Sequence, residues 1–216
     1  MTTIEEKVNE HSIACGITPR LIDSKKDTVS PELMAQLPLG QFKGFGLQGS
    51  IGVGKSCAVS WFLLASQRRR ARTRWRDKYS QYPEERYVED FIGPALINFN
   101  WVYWPDCALA HQDANRFGLP IPSSFGKLPH PHHLRTLNCS SLLVLDDIGR
   151  ERGQIGSYTN QILDSVVNYR YEHKLDTIWT TNLDNEEFIN QYGVPFMDRL
   201  LGMSPANGWI SGSSKR

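Results

Sequence analysis

The sequence predicts an α/β fold in which a parallel sheet carries helices on its faces, and three observations point there. Apolar stretches rich in β-branched and aromatic residues alternate with stretches of helical periodicity. A glycine-rich turn, GSIGVGKS at residues 49–56, separates a strand candidate from the apolar run AVSWFLLA. A doublet, Asp146 and Asp147, ends the most apolar strand candidate. Strands alternating with helices imply parallel pairing, and the ligand crevice of such a sheet lies at the carboxyl ends of its strands.

The elements follow in order. LPLGQFKGFGLQ is a poor strand on propensity, because glycines weaken it, yet the glycine-rich turn requires a strand before it. CAVSWFLLASQ is apolar nearly all round and runs without Pro or Gly into a basic stretch, which predicts one helix from Lys55 to about Lys78. ALINFNWVYW reads as a second strand stopped by Pro105, its rings core rather than a binding platform. Residues 117–135 carry many Pro, Gly, Ser and His residues and read as a loop insertion. SSLLVLDD is a third strand, buried on both faces. The next helix places Ile162, Leu163, Val166, Val167 and Tyr171 on one face. DTIWTTN is a fourth strand, and GWISG a fifth. Between them a helix opens on a capping box, Asp184 with Glu187, and stops at Gly193.

Composition bounds the rest. At 216 residues the chain suits one α/β domain, and 40% hydrophobic with 22% charged residues is ordinary for a globule rather than a disordered or membrane-spanning chain. The start, MTTIEEKVNEHS, is polar and acidic, unlike a signal peptide. Cys15, Cys57, Cys107 and Cys139 are scattered with no CxxC pair, as for reduced thiols, and a cytoplasmic location is expected. A net charge of +1 says nothing of partners, whereas local charge does.

The turn has the P-loop spacing, which arises by accident about once in a hundred such chains. Backbone N–H groups of Gly49, Ser50, Ile51, Gly52, Val53, Gly54, Lys55, Ser56 and Cys57 would wrap phosphate oxygens while the Lys55 ammonium meets the terminal phosphates. Asp146 falls on the same sheet edge. A Mg²⁺ ion shared by the Ser56 hydroxyl, Asp146 and the phosphates of ATP would answer its charge, since Mg²⁺ takes hard oxygen ligands. Asp147 could then orient the attacking water, and Asn182, ending the fourth strand, could position that water or touch the γ-phosphate. The alternative for the doublet is a turn cap.

LLVLDDIGRER, VVNYRYEHKLDTIWTTNL, YGVPFMDRLLG and ISGSSKR closely resemble the AAA+ ATPases of the DnaC/IstB family, the helicase loaders and transposition helper ATPases, from about Gly44 to Arg216. The resemblance implies a P-loop NTPase fold of the AAA+ kind, with a five-stranded parallel sheet and without a separate C-terminal lid domain. It divides the chain into a short N-terminal segment, 1–40, and an ATPase domain, 41–216, with a basic helix extension over 66–93. It makes Gly49 to Ser56 the Walker A motif, Asp146 and Asp147 Walker B, and Asn182 sensor I. Arg199 becomes the arginine finger reaching a neighbouring subunit's nucleotide, and Arg216 the sensor II arginine. It also implies a ring or spiral of ATP-bound copies on DNA. Three features depart from the pattern. Walker B has Asp where most AAA+ enzymes have Glu, though this family also uses the doublet. About 48 residues precede Gly49, where family loaders carry a separate helicase-binding region and the transposition relatives a DNA-binding one, and YGVPF lacks an arginine that relatives often carry.

Arg68, Arg69, Arg70, Arg72, Arg74, Arg76 and Lys78, interleaved with Trp75, Tyr79 and Tyr82, suit single-stranded DNA through phosphate attraction and base stacking. The alternative is a solvated helix end, or a clasp with the acidic run EERYVED. His130, His132 and His133, with Cys139 nearby, sit in a proline-broken loop that seldom holds zinc ligands in a tetrahedron. The expected function is a slow ATPase, stimulated by DNA or partner, that loads or recruits a replicative helicase. The alternatives are a transposition helper that recruits a transposase, a monomeric P-loop kinase, and a regulator that holds ATP and barely hydrolyses it.

Overall fold

The computed structural model describes residues 2–24, 29, 37, 44–125, 128–151, 157–204 and 206–210. Its centre is a parallel sheet. Strand β1 (Phe45–Gly49) is buried along its whole length and is followed by the P-loop turn and helix α3 (Lys55–Arg74). Strands β2 (Asn100–Tyr103), β5 (Leu142–Ile148), β6 (Asp176–Thr181) and β7 (Ala206–Ile210) complete the sheet in the order β2-β5-β6-β1-β7. Every neighbouring pair is parallel. The P-loop strand thus sits beside β6 and is separated by it from β5, which carries the aspartate doublet.

Alternation along each strand sorts the core into two layers. Leu142, Val144 and Ile178 point to one face, where they meet Val59, Phe62 and Leu63 of α3. Leu143, Leu145 and Trp179 point to the other, against Leu163, Val166 and Val167 of α7 (Tyr158–Glu172) and Leu200 of α9 (Val194–Met203). A third cluster joins α1 (Ile4–Ala14), the outer half of α3 and α4 (Glu84–Asp90) through Ile4, Val8, Leu64, Ala71, Tyr87 and Val88, with Ile22 of the short α2 (Pro19–Ile22) packed against it.

Several sequence expectations are redrawn. The second strand holds only Asn100–Tyr103, because Pro105 does more than stop it. With no N–H to leave unpaired, Pro105 sits in the first turn of α5 (Trp104–Phe117). Phe99, Trp101 and Trp104 are buried core, as expected of these rings, while Tyr103 is half-buried and turns toward the strand ends. The loop over 117–135 contains a two-stranded ribbon, β3 (Ser124–Phe125) with β4 (Leu128–Pro129), and the start of α6 (Leu134–Cys139). Within it His130 and His132 face each other, and the His111 ring of α5 bonds the His132 carbonyl at 3.0 Å. Tyr171 is 46% exposed; the buried residue of that turn is Arg170, whose guanidinium finds backbone carbonyls inside. Helix α8 (Asn185–Tyr192) has the capping box of Asp184 and Glu187 and its stop at Gly193.

Candidate functional site

The P-loop turn brings α3 in with an open N-terminus. Gly52 and Gly54 adopt φ of +88° and +93°, a left-handed conformation in which a Cβ is strained, and no side chain caps the helix. Its first N–H groups therefore face outward unpaired by side chains, an arrangement that favours anions. Val53 is buried beneath the turn, Ile51 stands exposed on it, and Cys57 packs against the core.

Lys55 is 6% exposed. Its ammonium donates to the carbonyls of Gly49 at 2.7 Å and Ser50 at 3.0 Å, and to Asn182 Oδ1 at 2.7 Å. Burial pulls its pKa down to about 8 against the opposing charges of Asp147 and Asp146. The adjacent Ser56 hydroxyl donates to Asp146 Oδ1 at 2.8 Å, and the Thr180 hydroxyl donates to the same oxygen at 2.7 Å. Burial raises the Asp146 pKa, opposed by the Thr180 and Ser56 donors. A buried carboxylate held by two hydroxyls, with a serine oxygen in contact and a cationic side chain close by, is a hard-oxygen donor set that fits Mg²⁺ beside a triphosphate. Ser56 and Asp146 are the two residues that would hold the metal.

Asp147 occupies the left-handed region at φ +65°. Its backbone N–H donates to Thr180 Oγ1 at 2.8 Å, so Thr180 fixes both aspartates. One Asp147 oxygen accepts from the Asn182 amide, which also receives Lys55 on its other atom. The other accepts from Tyr103 OH at 3.3 Å and Arg150 Nη1 at 3.1 Å. At Gly149, φ +95°, an added Cβ would meet Leu183, which keeps the chain tight after the doublet. Glu151 then accepts from Gly149 N at 2.9 Å and from Tyr192 OH, joining the end of β5 to the end of α8.

Lys55, Ser56, Asp146, Asp147 and Asn182, singled out from the sequence, thus meet at one edge of the sheet. Arg199 does not join them. It lies on α9, bonded to Asp164 at 2.9 Å, beside a cavity of about 320 Å³ that Tyr192 and Phe196 also line. Arg216 lies outside the described residues. Thr180, Tyr103 and Arg150 were not anticipated. Strand alternation from Asn182 would have put Thr180 on the same face, whereas Tyr103 arrives through the pairing of β2 with β5, which the sequence does not disclose.

The basic stretch also differs from expectation. Helix α3 ends at Arg74 and a π-helical turn, Trp75–Tyr79, follows. Arg68 is held by Glu5 at 3.0 Å and Asn9 at 2.9 Å. Trp75 packs into the third cluster and donates to the Tyr82 carbonyl at 3.2 Å. Tyr79 and Tyr82 both stack on Phe91. Within one chain the acidic helix α4 reaches α1, where Glu84 accepts from Ile4 N at 3.1 Å, and among the described residues no ion pair joins it to the basic stretch.

No protein-family model matches the sequence, and no curated protein matches it. Solved structures do. A structure of the DnaC helicase loader superimposes with a TM-score of 0.55 at 18% identity, covering 91% of this chain and 100% of that one. A structure of DnaI gives 0.54 at 16% identity, over 93% and 95%. A candidate primosome component from Streptococcus pyogenes serotype M3 gives 0.56 at 14% identity, over 97% and 98%. No helix among the described residues is long and apolar enough to cross a membrane. Superposition over nine-tenths or more of its length thus shows that the chain shares the α/β fold of these structures.

Proposed function

We propose that the chain binds ATP with Mg²⁺ at this site, hydrolyses it slowly, and acts in the cytoplasm as a DnaC-like factor that loads or recruits a replicative helicase on DNA. The observation that carries the reading is the convergence of Lys55, Ser56, Asp146, Asp147 and Asn182 beside an uncapped helix N-terminus. Lys55 exchanges the Gly49 and Ser50 carbonyls for terminal phosphate oxygens, which restores a full countercharge to a buried ammonium. Bound magnesium supplies neutralisation of the phosphate oxygens. Asp147, oriented by Asn182, Tyr103 and Arg150, directs water toward the γ-phosphate. Arg199 of an adjacent copy adds charge at that phosphate, so that turnover depends on a ring or spiral assembly, with Arg216 as a further contact. The helicase half of the reading is supported by the likeness to the DnaC helicase loader.

Three measurements test this: uptake of a fluorescent ATP analogue by the wild type and Lys55→Ala, phosphate release with and without DNA, and co-sedimentation with the native replicative helicase. Binding that is lost in Lys55→Ala, release stimulated by DNA, and a stable helicase complex are expected. No nucleotide uptake removes the reading, whereas uptake with co-purification of a transposase reassigns the partner.

A further inference from the structure

A groove of about 530 Å³ runs along one face of the outer half of α3, well away from the P-loop. Among the described residues its walls are Arg69, Arg70, Arg74 and Lys78, with Asp77 and the hydroxyls of Ser66 and Thr73. These positions recur every three or four residues, so they form one helical stripe continued into the π-helical turn. The stripe's single carboxylate is already engaged, since Asp77 accepts from Arg76 at 2.8 Å. Arg76 and Arg72 are exposed but do not line the groove, and Arg68 is tied to α1.

The neighbouring rings are equally informative. A base can stack only on a ring with an open face, and these rings are covered. Trp75 packs between α3 and α4 with its N–H bonded to Tyr82. Tyr79 stacks on Phe91 at 4.8 Å and has Arg74 over its ring at 5.6 Å. Tyr82 stacks on Phe91 at 5.4 Å and has Arg86 over its ring at 4.9 Å. The aromatic residues that the sequence offers for stacking are therefore occupied within the fold, with Arg74 laid over Tyr79, while Arg69, Arg70 and Lys78 stay exposed along the groove.

We infer that this groove binds the phosphodiester backbone of nucleic acid through charge and hydroxyl donors, without base stacking. The inference rests on the proposed function only for the expectation of DNA as a partner. From Arg69 to Lys78 the helical stripe is ~13 Å long, the rise of about four nucleotides of one strand in a B-form duplex. Backbone contact of this kind is indifferent to sequence and steeply salt-dependent.

Fluorescence anisotropy with the full chain tests it, using three probes of equal length: oligo(dT), a strand of abasic tetrahydrofuran units, and a duplex. The abasic strand is expected to bind within about threefold of oligo(dT). Arg69→Ala combined with Arg70→Ala should weaken binding at least tenfold and lower the salt slope for single strands by about 1.4. Arg68→Ala, whose partner is α1, should change it less than about threefold. The fluorescent ATP analogue serves as the control: its Kd is expected to stay at the wild-type value in the double variant. A loss above tenfold with abasic sugars, or wild-type binding by the double variant, overturns the inference, as does an acidic peptide that competes as well as the oligonucleotide. If the wild type takes up no ATP analogue while the oligonucleotide results hold, the groove stands and the ATPase reading falls alone.

Discussion

At the scale of single residues, the site satisfies itself. Asn182 takes the Lys55 ammonium on its oxygen and gives its amide to Asp147, so one side chain bridges the two charges that a triphosphate would later reorganise. Removing Lys55 should therefore reduce nucleotide affinity by more than tenfold in a binding titration. Asp147→Asn should keep binding but lower phosphate release by about 10² to 10⁴, the usual range for a group that positions or accepts a proton. Thr180→Val removes a donor from a buried carboxylate and should cost about 1 to 3 kcal/mol in urea unfolding. The P-loop and the doublet were legible because their spacing along the chain is their chemistry. Tyr103 and Arg150 were not, because one depends on which strand lies next to β5 and the other on the left-handed backbone at Asp147 and Gly149.

Among the elements, most of the strand and helix succession was legible from periodicity, β1 was legible only from the turn that follows it, and the aromatic second strand was misjudged at its end. Trp104 looked like its continuation, but the proline after it suits a first helical turn better than a strand end. Arg170 takes the buried place expected of Tyr171 for a related reason: hydropathy favours the tyrosine inside, while hydrogen bonding decides for the arginine. Arg170 donates to Thr177 Oγ1 at 2.9 Å and to the carbonyls of Leu137, Ser140 and Asp176 at 2.9, 2.8 and 2.6 Å. It joins the end of α6 to the start of β6. Burial pulls its pKa down to about 10, opposed by Asp176. Arg170→Met would leave those carbonyls without a donor, and a loss on the order of 3 kcal/mol or more is expected in denaturant unfolding. Cys107 gives a pH prediction. Burial lifts its thiol from 9.0 up to about 12, so the folded state keeps a proton that the unfolded chain releases. Its contribution to stability is present below pH 9 and lost as pH rises from 9 toward 12. The alkaline fall in Tm should be shallower in Cys107→Ala, and alkylation should reach exposed Cys139 before Cys107.

For the whole molecule, the question is how the site communicates with its surroundings. Arg199 is bonded to Asp164 rather than to the residues that meet around Lys55, and the two partners of that ion pair are partly exposed, 29% and 52%. Under the proposed assembly, Arg199→Ala should leave ATP binding intact while turnover falls by about 10³ or more. Asp164→Asn should raise turnover at low protein concentration by no more than about fivefold, because an exposed pair contributes at most ~1 kcal/mol. Concentration-dependent phosphate release measures both.

Helix α3 carries Lys55 on its first turn and the cationic stripe on its last two, ~22 Å from Lys55 to Arg70. One helix thus joins the proposed nucleotide site to the inferred groove. Thermodynamic reciprocity fixes what that entails for a single copy: the factor by which nucleotide alters the grip on a strand equals the factor by which the strand alters the grip on nucleotide. A mismatch between the two factors would be the signature of additional copies entering the equilibrium.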